Sequence, residues 1–178
     1  MHEQNKINEA KYFLAQMTTL VNNREQFTYN LSAFLAAARS ALQYALEEAK
    51  IKTGGQKWYE RQVTDRQIVK FFKGKRDINI HSKPILPSAK IGVAVKGTVH
   101  LSVIFEATIK RKDGSTEEVK STESNPASTP SKENETTVTY EHYFSDWKGN
   151  EDVLNLCDAY INEVETIVSD GKSKGLLS

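Results

Sequence analysis

The chain has 178 residues, 38% hydrophobic and 26% charged, an ordinary globular composition with enough apolar material for one core. Its single cysteine, Cys157, excludes an internal disulfide and a cysteine-built zinc cluster, and it suits a reducing, cytoplasmic setting. The formal charge of +1 hides a segregation: residues 57–90 carry nine Lys or Arg against three acids, a net +6, whereas residues 133–170 carry ten acids against Lys148, a net −9. Such a chain is expected to steer a polyanion to one side only. The first residues lack the apolar run of a signal peptide, and no segment has the length to span a bilayer.

In chain order, residues 4–22 place Ile7, Ala10, Phe13, Leu14, Met17, Leu20 and Val21 at the three- and four-residue spacing of an amphipathic helix. Residues 25–52 continue that period through Phe27, Leu31, Phe34, Leu35, Ala38, Leu42, Ala45 and Ala49. Their alanine-rich centre favours helix and lets another helix approach closely. Gly54 and Gly55 are expected to end this helix. A third helix is predicted over 56–80, with Trp58, Val63, Ile68, Phe71 and Phe72 facing the core and Pro84 as its latest stop. Beyond Pro87 the period changes to two: residues 97–111 alternate as a strand, IGVAVKG before them reads as another, and Asp113-Gly114 signals a hairpin into a return strand over 116–120. Residues 121–135 have the composition of a mobile loop, 136–144 alternate again, and a last helix over 151–170 has Asn150 as its cap and Gly171 as its stop. Cys157 falls on the apolar stripe of that helix and reads as a small buried hydrophobe. The expected fold is α+β and mainly helical. It is a single domain, 1–178, built as an antiparallel bundle of about four helices with a small antiparallel β-sheet inserted between the third and fourth.

There is no phosphate-cradling glycine loop, no HExxH helix and no GxSxG elbow, and His100 with His142 offers too few ligands for a metal site. What remains is Arg76-Asp77-Ile78-Asn79-Ile80-His81 at the end of the third helix, approached by the basic stripe Arg66, Lys70 and Lys73. In this setting the run resembles the hallmark of the HEPN family, helical domains often found in toxins and other RNA-cleaving defence proteins, where an arginine, a polar residue, a few further positions and a histidine recur. The helical parts, 4–82 and 151–170, agree with that family's bundle, while 90–147 is an insertion the resemblance does not cover. The resemblance implies a metal-independent endoribonuclease without cofactor, with Arg76 and His81 as the catalytic pair, Asp77 as the neighbour that orients them and Asn79 as a lining residue. Lys75 and Lys83 join the basic stripe as RNA contacts. It also implies a homodimer that brings two copies of the motif together, and an inhibitory protein partner. Asn30, Ser32 and Arg39 of the second helix offer further polar contacts that match no fixed motif.

The chemistry suits RNA. Cleavage requires a proton removed from the ribose 2′-hydroxyl and one returned to the leaving oxygen, and histidine does both near neutral pH. Arginine stays charged and presents a planar fork to phosphate oxygens. On a regular helix His81 lies about 140° around the axis from Arg76, so either the helix loosens near Gly74 or Asn79 or the site is completed across a two-fold axis. Two further readings stand beside this one. The first is a non-catalytic module that binds RNA, a nucleotide or a protein. The second is a structural dimerisation protein that uses the alanine-rich helix, with Arg76 merely paired to a nearby acid and His81 at free helix carbonyls.

Overall fold

The computed structural model describes residues 2–96, 103–111, 116–123 and 135–178. It is mainly helical: α1 (His2–Thr19), α2 (Arg24–Ala49), α3 (Gly55–Thr64) and α4 (Gln67–His81) precede four strands, and α5 (Val153–Ser173) follows them. The chain divides into two compact units, Met1–Ile91 with Tyr140–Ser178, and Gly92–Thr139.

In the helical unit α2 is the central element, packed along α1 and against α3, α4 and α5. Its own sequence explains its start, because the Asn23 side chain accepts from the Gln26 N–H at 3.1 Å and so satisfies a free donor of the first turn. The alanines serve the interior of the chain: Ala37, Ala38, Ala41 and Ala45 are buried beside Phe34, Leu35 and Leu42. From α1 come Ile7, Ala10 and Met17, and from α5 Leu156, Cys157, Tyr160, Ile161 and Val164. As the periodicity implied, Cys157 is a packed hydrophobe, and burial raises its thiol well above the ordinary range.

The single third helix expected over 56–80 is instead two. After Thr64 and Asp65, residues that compete with helix hydrogen bonding, Arg66 is extended at φ −108° and ψ 108°, and α4 starts afresh at Gln67. The break lets Trp58 and Tyr59 of α3 and Val69 and Phe72 of α4 all reach the core. Gly54 takes φ +78° before α3, and a Cβ on Gly55 would stand 2.0 Å from the Ala49 carbonyl oxygen, so both glycines belong to the turn into α3 as much as to the end of α2.

α5 also departs from its predicted ends. Its cap is Asp152, whose carboxylate accepts from the Asn155 N–H at 2.8 Å, and not Asn150. Gly171 lies inside the helix, where a Cβ would collide with Trp58 and Leu177, and the chain turns at Gly175 with φ +67°. Gly171 is thus a close-approach residue; the positive-φ stop falls four residues later.

The strands form two pairs, β1 (Ser88–Lys96) with β4 (Glu135–Tyr143) and β2 (Val103–Lys110) with β3 (Thr116–Glu123), where one sheet was expected. The β2–β3 pair is antiparallel, in the register Val103↔Glu123 to Lys110↔Thr116. Residues 97–102, with His100, the turn at 112–115 and residues 124–134 of the expected mobile loop lie outside the described residues, and 121–123 belong to β3.

Just beyond unit 2, the end of β4 is held by His142, a buried ring. Its Nε2 is 2.8 Å from the Val21 carbonyl oxygen and its face stacks on Phe27 with centroids 3.9 Å apart. The bond to a carbonyl makes Nε2 the donor, leaving Nδ1 a buried lone pair without a partner. His142 is therefore a packing residue of the α1–α2 turn. His142→Ala is expected to cost about 2–3 kcal/mol through lost packing and a stranded carbonyl. A urea midpoint unchanged from the parent would contradict this role.

Candidate nucleic-acid interface

α4 runs as unbroken helix from Gln67 through His81, so the loosening near Gly74 or Asn79 does not occur. Gly74 is exposed, and a Cβ there meets nothing within 4 Å. With regular geometry retained, Arg76 and His81 emerge about 140° apart. Arg76, four residues after the buried Phe72, leaves from the packed side of α4, while His81 is exposed at its tip. The Arg76 Nη1 donates to Asp77 Oδ1 at 3.2 Å, and its Nε is sealed from solvent without a partner. Asp77 thus pairs with the arginine beside it. Among the described residues, no hydrogen bond or ion pair joins that pair to His81.

The end of α4 is finished by local bonds. Ser82 and Lys83 both donate their N–H groups to the Ile78 carbonyl. Asn79 then brackets three segments: its Nδ2 donates to Ser32 Oγ at 2.7 Å, and its Oδ1 accepts from the Ile85 N–H at 3.2 Å. Of the polar residues singled out on the second helix, Ser32 meets the motif, Arg39 donates to the Tyr59 hydroxyl, and Asn30 bonds back to the Gln26 carbonyl. Asn79, expected to line the site, is occupied in fastening α4 to α2 and to the chain leaving it. Asn79→Ala should destabilise the fold by about 1–3 kcal/mol, because it strands a hydroxyl and a half-buried N–H. The check is a thermal melt paired with RNA affinity: a role confined to RNA contact would lower affinity and leave the melt unchanged.

The basic stripe divides in the same way. Lys70, Lys73 and Lys83 are exposed. Arg66, in contrast, donates to Glu163 at 2.7 Å and to the Gln62 carbonyl at 3.0 Å, which ties the α3–α4 break to α5. Lys75 is 8% exposed, with its Nζ 2.5 Å from Asp146 Oδ1 and over the rings of Phe71 and Phe144 at 5.1 and 4.7 Å. These two cations are fixtures of the fold, not members of a solvated stripe, because carboxylates distant in sequence neutralise them.

Lys75, Ile78 and His81 succeed one another at three-residue spacing and so form one ridge, running from the interior to the exposed tip. A groove of about 380 Å³ is lined by Lys75 and Ile78 of this ridge, though not by His81, together with Lys83, Leu86, Tyr143 and Asp146 among others. The sequence does not mark Leu86 or Asp146 as members of a site. Leu86 sits in a Pro-bounded connector and Asp146 lies 71 residues from its lysine partner, so no local period or motif marks them.

Among the described residues no group of three or more His, Cys, Asp or Glu gathers as a metal site. No helix among them is long and apolar enough to cross a membrane. Comparison of the chain with protein-family models, with curated proteins and with solved structures finds no match.

Proposed function

We propose that the chain is a HEPN-like, metal-independent endoribonuclease that acts as a homodimer through Arg76 and His81. The observation that carries this reading is the last turn of α4, which ends a helix of a mainly helical unit on an exposed imidazole and holds the motif arginine against its own neighbour Asp77. On this reading α1, α2, α4 and α5 make the family's antiparallel four-helix bundle, α3 is a short addition, and the strands are the insertion.

The two side chains leave α4 on different sides, so a working pair consists of Arg76 from one copy and His81 from the other. His81 takes the 2′-hydroxyl proton or returns one to the leaving 5′-oxygen. Arg76 neutralises the phosphate as it becomes five-coordinate, exchanging its single bond to Asp77 for a two-pronged one to phosphate oxygens. Lys70, Lys73 and Lys83 draw in the strand. The products are a 2′,3′-cyclic phosphate and a 5′-hydroxyl, DNA binds without being cut, and a protein partner covering the tip of α4 would hold the activity in check.

The experiment is incubation of the purified chain with RNA in EDTA, beside the same RNA carrying 2′-deoxyribose throughout. Cleavage of the first alone is expected. Cleavage of both, or of neither, rejects the mechanism.

A second reading, a non-catalytic HEPN-like binding module, is favoured by one observation: the Arg76 Nε is sealed and its Nη1 is already committed to Asp77. RNA binding that falls steeply with salt, without cleavage, would select it. Dimerisation through the alanine-rich helix draws no support from a stripe already packed inside the chain.

A further inference from the structure

We infer that the groove beside the Lys75–Ile78–His81 ridge is a subsite for one nucleotide flanking the phosphate to be cleaved; this rests on the ribonuclease reading. The groove, about 380 Å³, is of the size that holds a small ligand, and it is built from the three kinds of surface a nucleotide needs. Its lining includes the aliphatic side chains of Ile78 and Leu86, 38% and 65% exposed, which together offer an apolar surface. A base laid on them removes that surface from water, as apolar side chains do for unstacked bases elsewhere. On its rim stand the Ser145 hydroxyl and the Asp146 carboxylate, one able to donate or accept and the other to accept from a base N–H. Asp146 is held in place by Lys75 yet remains 58% exposed, so its position is set before any ligand arrives.

Charge completes the match. Lys83, exposed at the groove mouth and two residues beyond His81, is placed to meet a phosphate. His81 does not line the groove, but Ile78 and His81 are neighbours on the helix surface, so a strand leaving the groove past Ile78 comes beside the imidazole. Arg76 leaves α4 on another side and takes no part in this subsite.

The test is a titration of the full chain with adenosine 5′-monophosphate, and separately with inorganic phosphate, followed by amide NMR shifts at Lys83, Leu86 and Ser145. Saturable shifts with the nucleotide are expected, at affinity about tenfold above that for phosphate. Lys83→Ala is expected to weaken nucleotide binding about tenfold, the scale of one charge-assisted contact. Leu86→Ala should weaken nucleotide and leave phosphate unchanged. In RNA cleavage both variants should raise KM with kcat preserved.

Equal affinity for phosphate and nucleotide would overturn the inference, since the base would then add nothing. So would a groove that ignores the nucleotide and shifts instead with an acidic, leucine-bearing peptide. Nucleotide binding in a chain that cuts no RNA would retain the subsite and discard the nuclease. RNA cleavage indifferent to both variants would do the reverse.

Discussion

His81→Ala and Arg76→Ala will each lower RNA cleavage about 100- to 10,000-fold, the range for loss of a positioned proton-transfer group or of the charge facing a transition state. Mixing the two inactive variants will restore part of it. The regular helix between the residues is the reason: Arg76 and His81 leave α4 about 140° apart, so on the proposed reading each site would take its arginine and its histidine from different copies. In a mixed dimer, the Arg76 of the His81→Ala chain meets the His81 of the Arg76→Ala chain and one site of two is intact. Random pairing then returns about a quarter of the parent activity. The measurement is the initial rate of RNA cleavage in EDTA against the mixing ratio, after a denature–refold cycle to exchange subunits. A mixture no more active than its components would place both residues in one chain's site and refute the composite arrangement, while cleavage surviving His81→Ala would refute the chemistry.

The second large effect concerns stability. Phe72→Ala is expected to cost about 3–5 kcal/mol, the range for removing a large aromatic side chain from a core that cannot close over the space. Phe72 is 1% exposed and lies flat on Tyr160 of α5, with centroids 4.5 Å apart and planes 1° from parallel. It also meets Phe34 of α2, Phe71 and Phe144 edge-on. One ring thus couples α2, α4, α5 and the chain entering α5, and such aromatic pairs add about 0.5–1.5 kcal/mol beyond their buried area. Because α4 carries the motif, loss of this anchor should also lower activity at temperatures well below the parent's melt. Urea unfolding followed by circular dichroism provides the check. A loss under about 1 kcal/mol would show that α4 is held elsewhere, with Asn79 and the Lys75–Asp146 pair the next candidates.

Elements with a strong period were legible from the chain alone. The apolar stripes of α1, α2 and α5, the buried state of Cys157 and strand β2 all follow from spacings of three to four or of two, which reflect the geometry of a helix or a strand and need no knowledge of neighbours. The break at Arg66 was not legible, because Thr64 and Asp65 disfavour a helix interior only weakly and the apolar period resumes at Ile68. Its extended backbone is held by Glu163, 97 residues away, and by its own bonds back to Gln62.

The candidate site divides along the same line. Local order alone placed an arginine, an acid and a histidine in one helical turn and a half, and the helix rise and rotation then settled that the first and last could not share a face. Sequence also separated the charges into a basic and an acidic segment. Only the tertiary structure decided what becomes of that separation: Arg66 meets Glu163 and Lys75 meets Asp146, so two cations of the basic segment are neutralised by the acidic segment of the same chain while Lys70, Lys73 and Lys83 stay exposed. The groove beside α4 has the same origin, since Lys75, Ile78 and residues 83–87 line it together with residues 143–146, and it exists only once these distant segments are packed together. Short-range geometry depends on residues a few positions apart and can be read from their order. Which charges cancel and which surfaces enclose a space depend on contacts between distant segments, and those are set by the packing of the whole unit.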